Sequence, residues 1–200
     1  MGSFSKLLLP LGEGTIAARA VRAAIEFCDP VIVVTGKDGE SLRESLEAQG
    51  FSGERFIFTP NPNWAEGRVG SLKAGIKALA KNSEGFFLAH ADMPFVDPGV
   101  YRSLGDAAAA RKAAGLPPAL LFPSMGGVKG HPVFFPFTFA QELLEAGKGE
   151  SLKKAVRGLE QACVETTCEG IFEDVDSPED YKRLLDKYGL AESPGRNGAI

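Results

Sequence analysis

The stretch Val31-Ile32-Val33-Val34 is β-branched throughout with no polar interruption, and Phe86-Phe87-Leu88-Ala89 is a second unbroken apolar run of strand length. A strand with one face in water alternates polar and apolar residues. An unbroken run instead suits a strand covered on both faces, as in a parallel sheet sandwiched between helices. Helical patterns separate these runs. Thr15 to Phe27 is Ala-rich with apolar residues at helical spacing, and Thr15 is a suitable N-cap. Strands alternating with helices predict an α/β fold with a mostly parallel sheet and helices on both faces.

The rest of the chain extends the alternation. A polar helix over Gly39 to Ala48 leads to a short strand at Phe56 to Thr59. The loop Pro60 to Gly67 precedes a helix near Val69 to Ala80, and Gly85 to Ala89 forms a strand that ends at His90-Ala91-Asp92-Met93-Pro94. A helix from Pro98 to Ala114 and a strand at Ala119 to Phe122 follow. Gly126-Gly127 and Gly130 punctuate a hairpin into Pro132 to Phe135. Short helices over Thr138 to Ala146 and Ser151 to Leu159, a strand at Cys163 to Thr167, the segment Ile171 to Val175 and a last helix at Pro178 to Tyr188 complete the pattern. No repeat or linker divides it, so residues 1–190 read as one domain, with a disordered Gly/Pro/Ser-rich tail over 191–200. The opening, Met1 to Gly12, is loop-like with no strand before it.

Composition excludes several function classes. With 44% hydrophobic and 24% charged residues, the chain is globular rather than disordered. A net charge of −4 with interspersed signs argues against a nucleic-acid partner. No apolar run nears the ~18 residues of a membrane span. No secretory signal is visible, and Cys28, Cys163 and Cys168 lack metal-site spacing; reduced thiols in the cytoplasm are the simpler reading. An intact P-loop, a G-x-G-x-x-G and a G-x-S-x-G are all absent, which argues against dinucleotide binders and serine hydrolases.

The residues that could carry chemistry each have a plainer alternative. Asp92 lies past the carboxyl end of a buried strand, where α/β sheets bind ligands, and its carboxylate could hold Mg²⁺; it could also cap the turn before Pro94. Asp174 and Asp176, two apart, share one face of an extended segment. The adjoining Ser177-Pro178-Glu179-Asp180 reads as a helix start, which explains Ser177, Glu179 and Asp180 but not Asp174 and Asp176. Lys6, after a Gly/Ser-containing segment, could neutralise phosphate or be solvated. The loop and helix start over Asn61 to Gly75 present backbone N–H groups suited to phosphate oxygens. Trp64 within it could stack on a base or anchor the loop. His90 and His131 have no zinc-site partners and read by default as hydrogen-bonded structural histidines.

The order of these segments resembles that of MobA/MocA-type nucleotidyltransferases. Met1-Gly2 followed by Lys6-Leu7-Leu8-Leu9-Pro10-Leu11-Gly12 looks like the second half of their LAxGxSxRMG…KLLxPLxG loop. Asn61-Pro62-Asn63-Trp64-Ala65-Glu66-Gly67 with Ser71-Leu72-Lys73-Ala74-Gly75 resembles their nucleotide-contacting loop and helix. Ala91-Asp92-Met93-Pro94-Phe95-Val96 resembles the metal-binding segment, Gly130-His131-Pro132-Val133 an acceptor-side element, and Asp174-Val175-Asp176-Ser177-Pro178-Glu179-Asp180 the closing acidic motif.

The resemblance implies a Rossmann-like nucleotidyltransferase fold and a Mg²⁺-dependent transfer of a nucleotidyl group to a phosphorylated acceptor, with release of pyrophosphate. It implies Lys6 and Gly2 at the phosphates, Gly67 and Ser71 at the nucleotide, Asp92 with Asp176 (or Asp174) at the metal, and His131 toward the acceptor. The family's first strand and the start of its loop fall ahead of Met1, so the polypeptide is expected to start upstream, with Met1 as the motif's internal methionine. Asn61 to Gly75 and the Gly130 segment look most like the branch that transfers CMP from CTP to the molybdenum cofactor, which a molybdoenzyme would then receive. The alternatives are a guanylyltransferase, another phosphate-ester nucleotidyltransferase, or a non-catalytic scaffold that binds a nucleotide or cofactor.

Overall fold

Thr15 starts the first long helix for a local reason. Its hydroxyl accepts the backbone N–H of Ala18 at 3.3 Å, satisfying one of the donors that a helix start leaves unpaired. The Ala-rich helix Ile16–Ile25 (α1) follows. The computed structural model describes residues 6–145, 147 and 152–191. Gly2 and all but the first residue of the expected tail therefore lie outside the described residues. Ahead of α1 stand a 3-10 turn, Lys6–Leu8, and a small antiparallel hairpin of Pro10–Leu11 (β1) and Gly14–Thr15 (β2).

The β-branched run becomes Val31–Thr35 (β3), which pairs in parallel with Phe56–Pro60 (β4) from Val31 opposite Phe56 to Thr35 opposite Pro60. Parallel neighbours need a crossover, supplied by the helix Gly39–Ala48 (α2). A 3-10 turn, Trp64–Glu66, leads into Arg68–Ala78 (α3) and then Gly85–Leu88 (β5). The helix Pro98–Ala113 (α4) begins with Asp97 as N-cap, whose carboxylate accepts the Gly99 N–H at 2.7 Å, and Pro98 costs no helix hydrogen bond at that position.

Among the described residues β3 and β4 form a two-stranded parallel sheet, and β5 with the strands that follow it forms a separate five-stranded sheet that departs from the mostly parallel arrangement. Leu120–Met125 (β6) turns back into Val128–Lys129 (β7) through Gly126 and Gly127, which hold positive φ angles of 59° and 81°. Tight hairpins demand that conformation, and glycine adopts it without steric cost. The next strand, Val133–Pro136 (β8), inserts antiparallel between β5 and β6. Short helices at Ala140–Glu145 (α5) and Leu152–Ala155 (α6) precede Gln161–Glu165 (β9), which returns in parallel beside β6. The result is a mixed sheet, because glycine-directed reversals and not only helical crossovers join its strands. Ile171 falls in a 3-10 turn, Glu169–Phe172, before the last helix, Pro178–Lys187 (α7). A reciprocal Ser177–Asp180 capping box starts α7, as the sequence suggests.

Alternation along the strands builds the two layers. Leu121 packs with Ala24 of α1 and Tyr101 and Leu104 of α4, whereas its neighbour Leu120 packs with Leu72 and Ile76 of α3 and Leu143 of α5. Helices therefore cover both faces. The loops that follow β5, precede α3 and precede α7 carry the polar residues singled out above.

Candidate active site

Asp92 projects from the loop after β5, and its neighbours immobilise it. Met93, Phe95 and Val96 are buried. The Arg19 guanidinium of α1 donates to the Pro94 carbonyl at 3.1 Å and lies over the Phe95 ring at 4.9 Å. The other face of the loop is held by the acidic segment before α7, where Val175, 1% exposed, donates its backbone N–H to the Asp92 carbonyl at 2.9 Å. Glu173 is buried too, and its carboxylate accepts both the Lys187 ammonium and the Tyr188 hydroxyl.

With Glu173 and Val175 inward, the alternation of an extended segment turns Asp174 and Asp176 outward together. The approach is close. A Cβ added to Gly170 would stand 1.9 Å from the Phe95 carbonyl oxygen, so only glycine permits this segment to lie against the Asp92 loop. Ordinary packing thus delivers two carboxylates 84 positions apart in the chain to one rim.

Lys6 joins them. Its ammonium donates to Asp92 Oδ2 at 2.8 Å and to Asp176 Oδ1 at 2.6 Å. Burial by itself lowers the Lys6 pKa, but the hydrogen bonds to Asp176 and Asp92 and their negative charges outweigh it and hold the group above an ordinary lysine. Asp176 is held below the usual carboxylate range, first by the hydrogen bond from Lys6 and then by its charge. The cation at the shared focus of two carboxylates tests the donor set directly: both side chains reach a single positive centre. Among the described residues no group of three or more His, Cys, Asp or Glu forms a metal cage. Two carboxylates instead match the way Mg²⁺ binds, through one or two protein oxygens plus substrate phosphates and water. Asp176 meets the same cation as Asp92, whereas Asp174 acts on Asp176 and on His90.

The helix start of α3 opens on the same cavity as Asp92. Gly67 holds φ at 112° with ψ at 174°, a conformation closed to other residues at low cost, and no side chain caps the helix. The first-turn N–H groups there suit an anion. Ser71 accepts the Asn61 side-chain amide at 3.0 Å. Asn61 is buried, donates its backbone N–H to the Thr35 carbonyl at the end of β3, and accepts the Asn63 N–H through its side chain. Trp64 is exposed and lies against Gly36. The sequence placed Asn61 only within a general loop; its role as the pin between β3, the loop and Ser71 needs the fold.

The rings of His131 and His90 lie against each other, 4.1 Å between centres and tilted by 32°. Burial first, then the charge of His90, pushes the His131 ring down to about 4. His131 hydrogen-bonds the Leu88 carbonyl, while its Nδ1 is buried without a hydrogen-bond partner. The sequence names both histidines but not their pairing, nor Arg68, at the first turn of α3, whose charge acts on both rings. Neither had a local signal, because the pairing joins three distant segments.

A family model described as the MobA-like NTP transferase domain matches residues 1–164. The chain is 26% identical to the molybdenum cofactor cytidylyltransferase of Escherichia coli (strain K12) over 187 residues, 92% of this chain and 88% of that one. Among solved structures, Rv0371c from Mycobacterium tuberculosis H37Rv shares the fold with a TM-score of 0.72 at 22% identity, covering 93% of this chain and 91% of that one. Its complex with manganese has a TM-score of 0.70, also at 22% identity, covering 90% and 91%. With its α/β fold, its convergent carboxylates and a family match over most of its length, this chain belongs to the MobA-like NTP transferase family of nucleotidyltransferases.

Proposed function

We propose that the chain, acting as one domain, is a divalent-metal-dependent nucleotidyltransferase that transfers CMP from CTP to a phosphorylated acceptor, the molybdenum cofactor, and releases pyrophosphate. The observation that carries the reading is the meeting of Asp92 and Asp176 on one ammonium. The relative named for cytidylyl transfer supports the choice of nucleotide and acceptor. The manganese complex of a protein of the same fold supports a divalent ion, with Mg²⁺ as the expected physiological one.

In this reading an oxygen of the acceptor phosphate attacks the α-phosphorus in line. A new P–O bond forms as the bond from the α-phosphorus to the bridging oxygen breaks, and pyrophosphate carries away the electron pair. The acceptor is already an anion at neutral pH, so no general base is required. The protein positions the groups and neutralises developing charge. Asp92 and Asp176 would hold the metal, which would supply Lewis-acid charge neutralisation there. Gly67 opens the first turn of α3, whose N–H groups face the nucleotide, and Ser71, held by Asn61, borders them. Lys6, moving from the carboxylates to the triphosphate, offsets negative charge as a point cation. His131, with His90 beside it, borders the acceptor side.

The test is pyrophosphate release from CTP, GTP, ATP and UTP, each with molybdopterin, with and without Mg²⁺. Turnover with CTP that needs Mg²⁺ and acceptor is expected. Turnover with GTP alone transfers the assignment to a guanylyltransferase, and binding without turnover transfers it to a nucleotide-carrying scaffold.

A further inference from the structure

Tyr188 caps the carboxyl end of α7 and touches both segments that carry the paired carboxylates. Its ring stacks face to face on Phe95, with 3.7 Å between ring centres and 6° between planes. Its hydroxyl donates to the Glu173 carboxylate. Phe95 stands three residues after Asp92, and Glu173 three residues before Asp176. One side chain thus spans the two segments at matched distances from the carboxylates that meet on Lys6. The holder is fixed in turn. Leu184 and Leu185 of α7 pack with Phe95 and Val175. The Tyr188 N–H donates to the Leu184 carbonyl at 3.0 Å. Gly189 then takes a φ of 62°, which closes the helix end and lets Leu190 donate to the Leu185 carbonyl at 2.9 Å.

We propose that Tyr188 is a positioning residue for the metal site: holding Phe95 with its ring and Glu173 with its hydroxyl, it sets the separation at which Asp92 and Asp176 face a divalent ion. The inference rests on the reading of these two carboxylates as metal ligands. Ending a helix in water requires no buried acceptor and no stacked ring, yet Tyr188 engages both. Phe95 and Glu173 are 7% and 6% exposed, so the partners at either end of the clamp are themselves immobile. Burial first, then the hydrogen bond to Glu173, raises the Tyr188 hydroxyl above the ordinary tyrosine range, so it remains a donor at neutral pH. Lys187 donates to the same carboxylate and keeps it charged for that bond. The clamp matters more for a metal than for the Lys6 ion pairs. An ammonium on a flexible stem can follow two carboxylates that drift apart. A small divalent ion with fixed bond lengths and near-octahedral demands cannot.

Mn²⁺ binding to the nucleotide-free chain, followed by electron paramagnetic resonance, tests this without reading turnover. Tyr188→Phe keeps the stack and loses the hydroxyl bond, and Tyr188→Leu loses both. Tyr181→Phe is the control, because it removes a hydroxyl that the same helix donates to the Pro10 carbonyl. Affinity is expected to fall about 10-fold in Tyr188→Phe and about 100-fold in Tyr188→Leu, the range seen when groups that orient metal ligands are removed. Tyr181→Phe should bind Mn²⁺ as the unaltered chain does. Thermal unfolding should separate the two effects, since Tyr188→Phe and Tyr181→Phe each lose one hydroxyl bond and should melt alike. Tyr188→Phe decides the matter if Tyr188→Leu unfolds. In turnover, the Mg²⁺ concentration for half-maximal rate should rise in the Tyr188 variants while kcat recovers at saturating Mg²⁺. Unchanged Mn²⁺ affinity in Tyr188→Phe, or an equal loss in Tyr181→Phe, would overturn the clamp and leave the carboxylates as ligands. An unaltered chain that binds no Mn²⁺ would overturn the metal reading and the clamp together.

Discussion

Asp92 and Asp176 approach the Lys6 ammonium at 2.8 and 2.6 Å, so two carboxylates from opposite halves of the chain share one positive centre. A divalent ion bound there would draw on these carboxylates together with water and phosphate oxygens. Asp92→Ala should leave the circular dichroism spectrum unchanged and lower kcat by about 10²–10³-fold or more, the scale seen when a group that stabilises transition-state charge is removed. Retained turnover would remove Asp92 from the site.

Lys6 occupies the focus of these carboxylates, so its removal should act in two directions. In Lys6→Met, Mn²⁺ binding to the nucleotide-free protein, followed by electron paramagnetic resonance, is expected to tighten several-fold because the competing ammonium is gone. CTP turnover should fall at the same time, since phosphate charge is no longer offset. Unchanged Mn²⁺ affinity would mean that the ammonium does not stand in for the metal.

Gly170 lies against the Phe95 carbonyl, where the segment leading to Asp176 packs on the Asp92 loop. Gly170→Ala forces a Cβ into the Phe95 carbonyl, and overpacking of this kind costs about 1–3 kcal/mol. Thermal unfolding should register that loss, and Mn²⁺ affinity should fall with it, because the two carboxylates are pushed apart.

Asn61 links the end of β3 to Ser71 through a buried amide. Asn61→Ala leaves polar groups unpaired at a cost of about 1–3 kcal/mol. A raised KM for the nucleotide with a smaller change in kcat is expected; an effect confined to stability would make Asn61 purely structural.

His131 carries a pH signature. Its folded pKa is pushed down to about 4 by burial, then by the charge of His90, against about 6.5 when unfolded. Between these values the unfolded state binds more protons, so stability present above about pH 6.5 is lost as pH falls through about 4. The loss is at most about 3 kcal/mol before solvent screening reduces it. Urea titrations across this window should show a shallower pH slope for His131→Gln than for the unaltered chain.

Local physics made much of the architecture legible in the sequence. The β-branched run of β3, the Thr15 cap of α1, the Asp97 and Pro98 start of α4 and the Ser177–Asp180 capping box all depend on residues within a few positions of one another, so composition and spacing suffice for them. The same local rules placed Asp174 and Asp176 on one face. Pairing of distant segments was decided only by the tertiary structure. The antiparallel insertion of β8, the half-buried state of an apolar strand, the pin from Asn61 to Ser71 and the pairing of His90 with His131 all join parts of the chain that no local pattern relates. The resemblance already favoured Asp176 over Asp174, and in the structure it is Asp176 that shares the Lys6 ammonium with Asp92. The backbone bond from Val175 to Asp92 and the bare Cα of Gly170 bring the two segments together, and such steric fit exists only once both are packed.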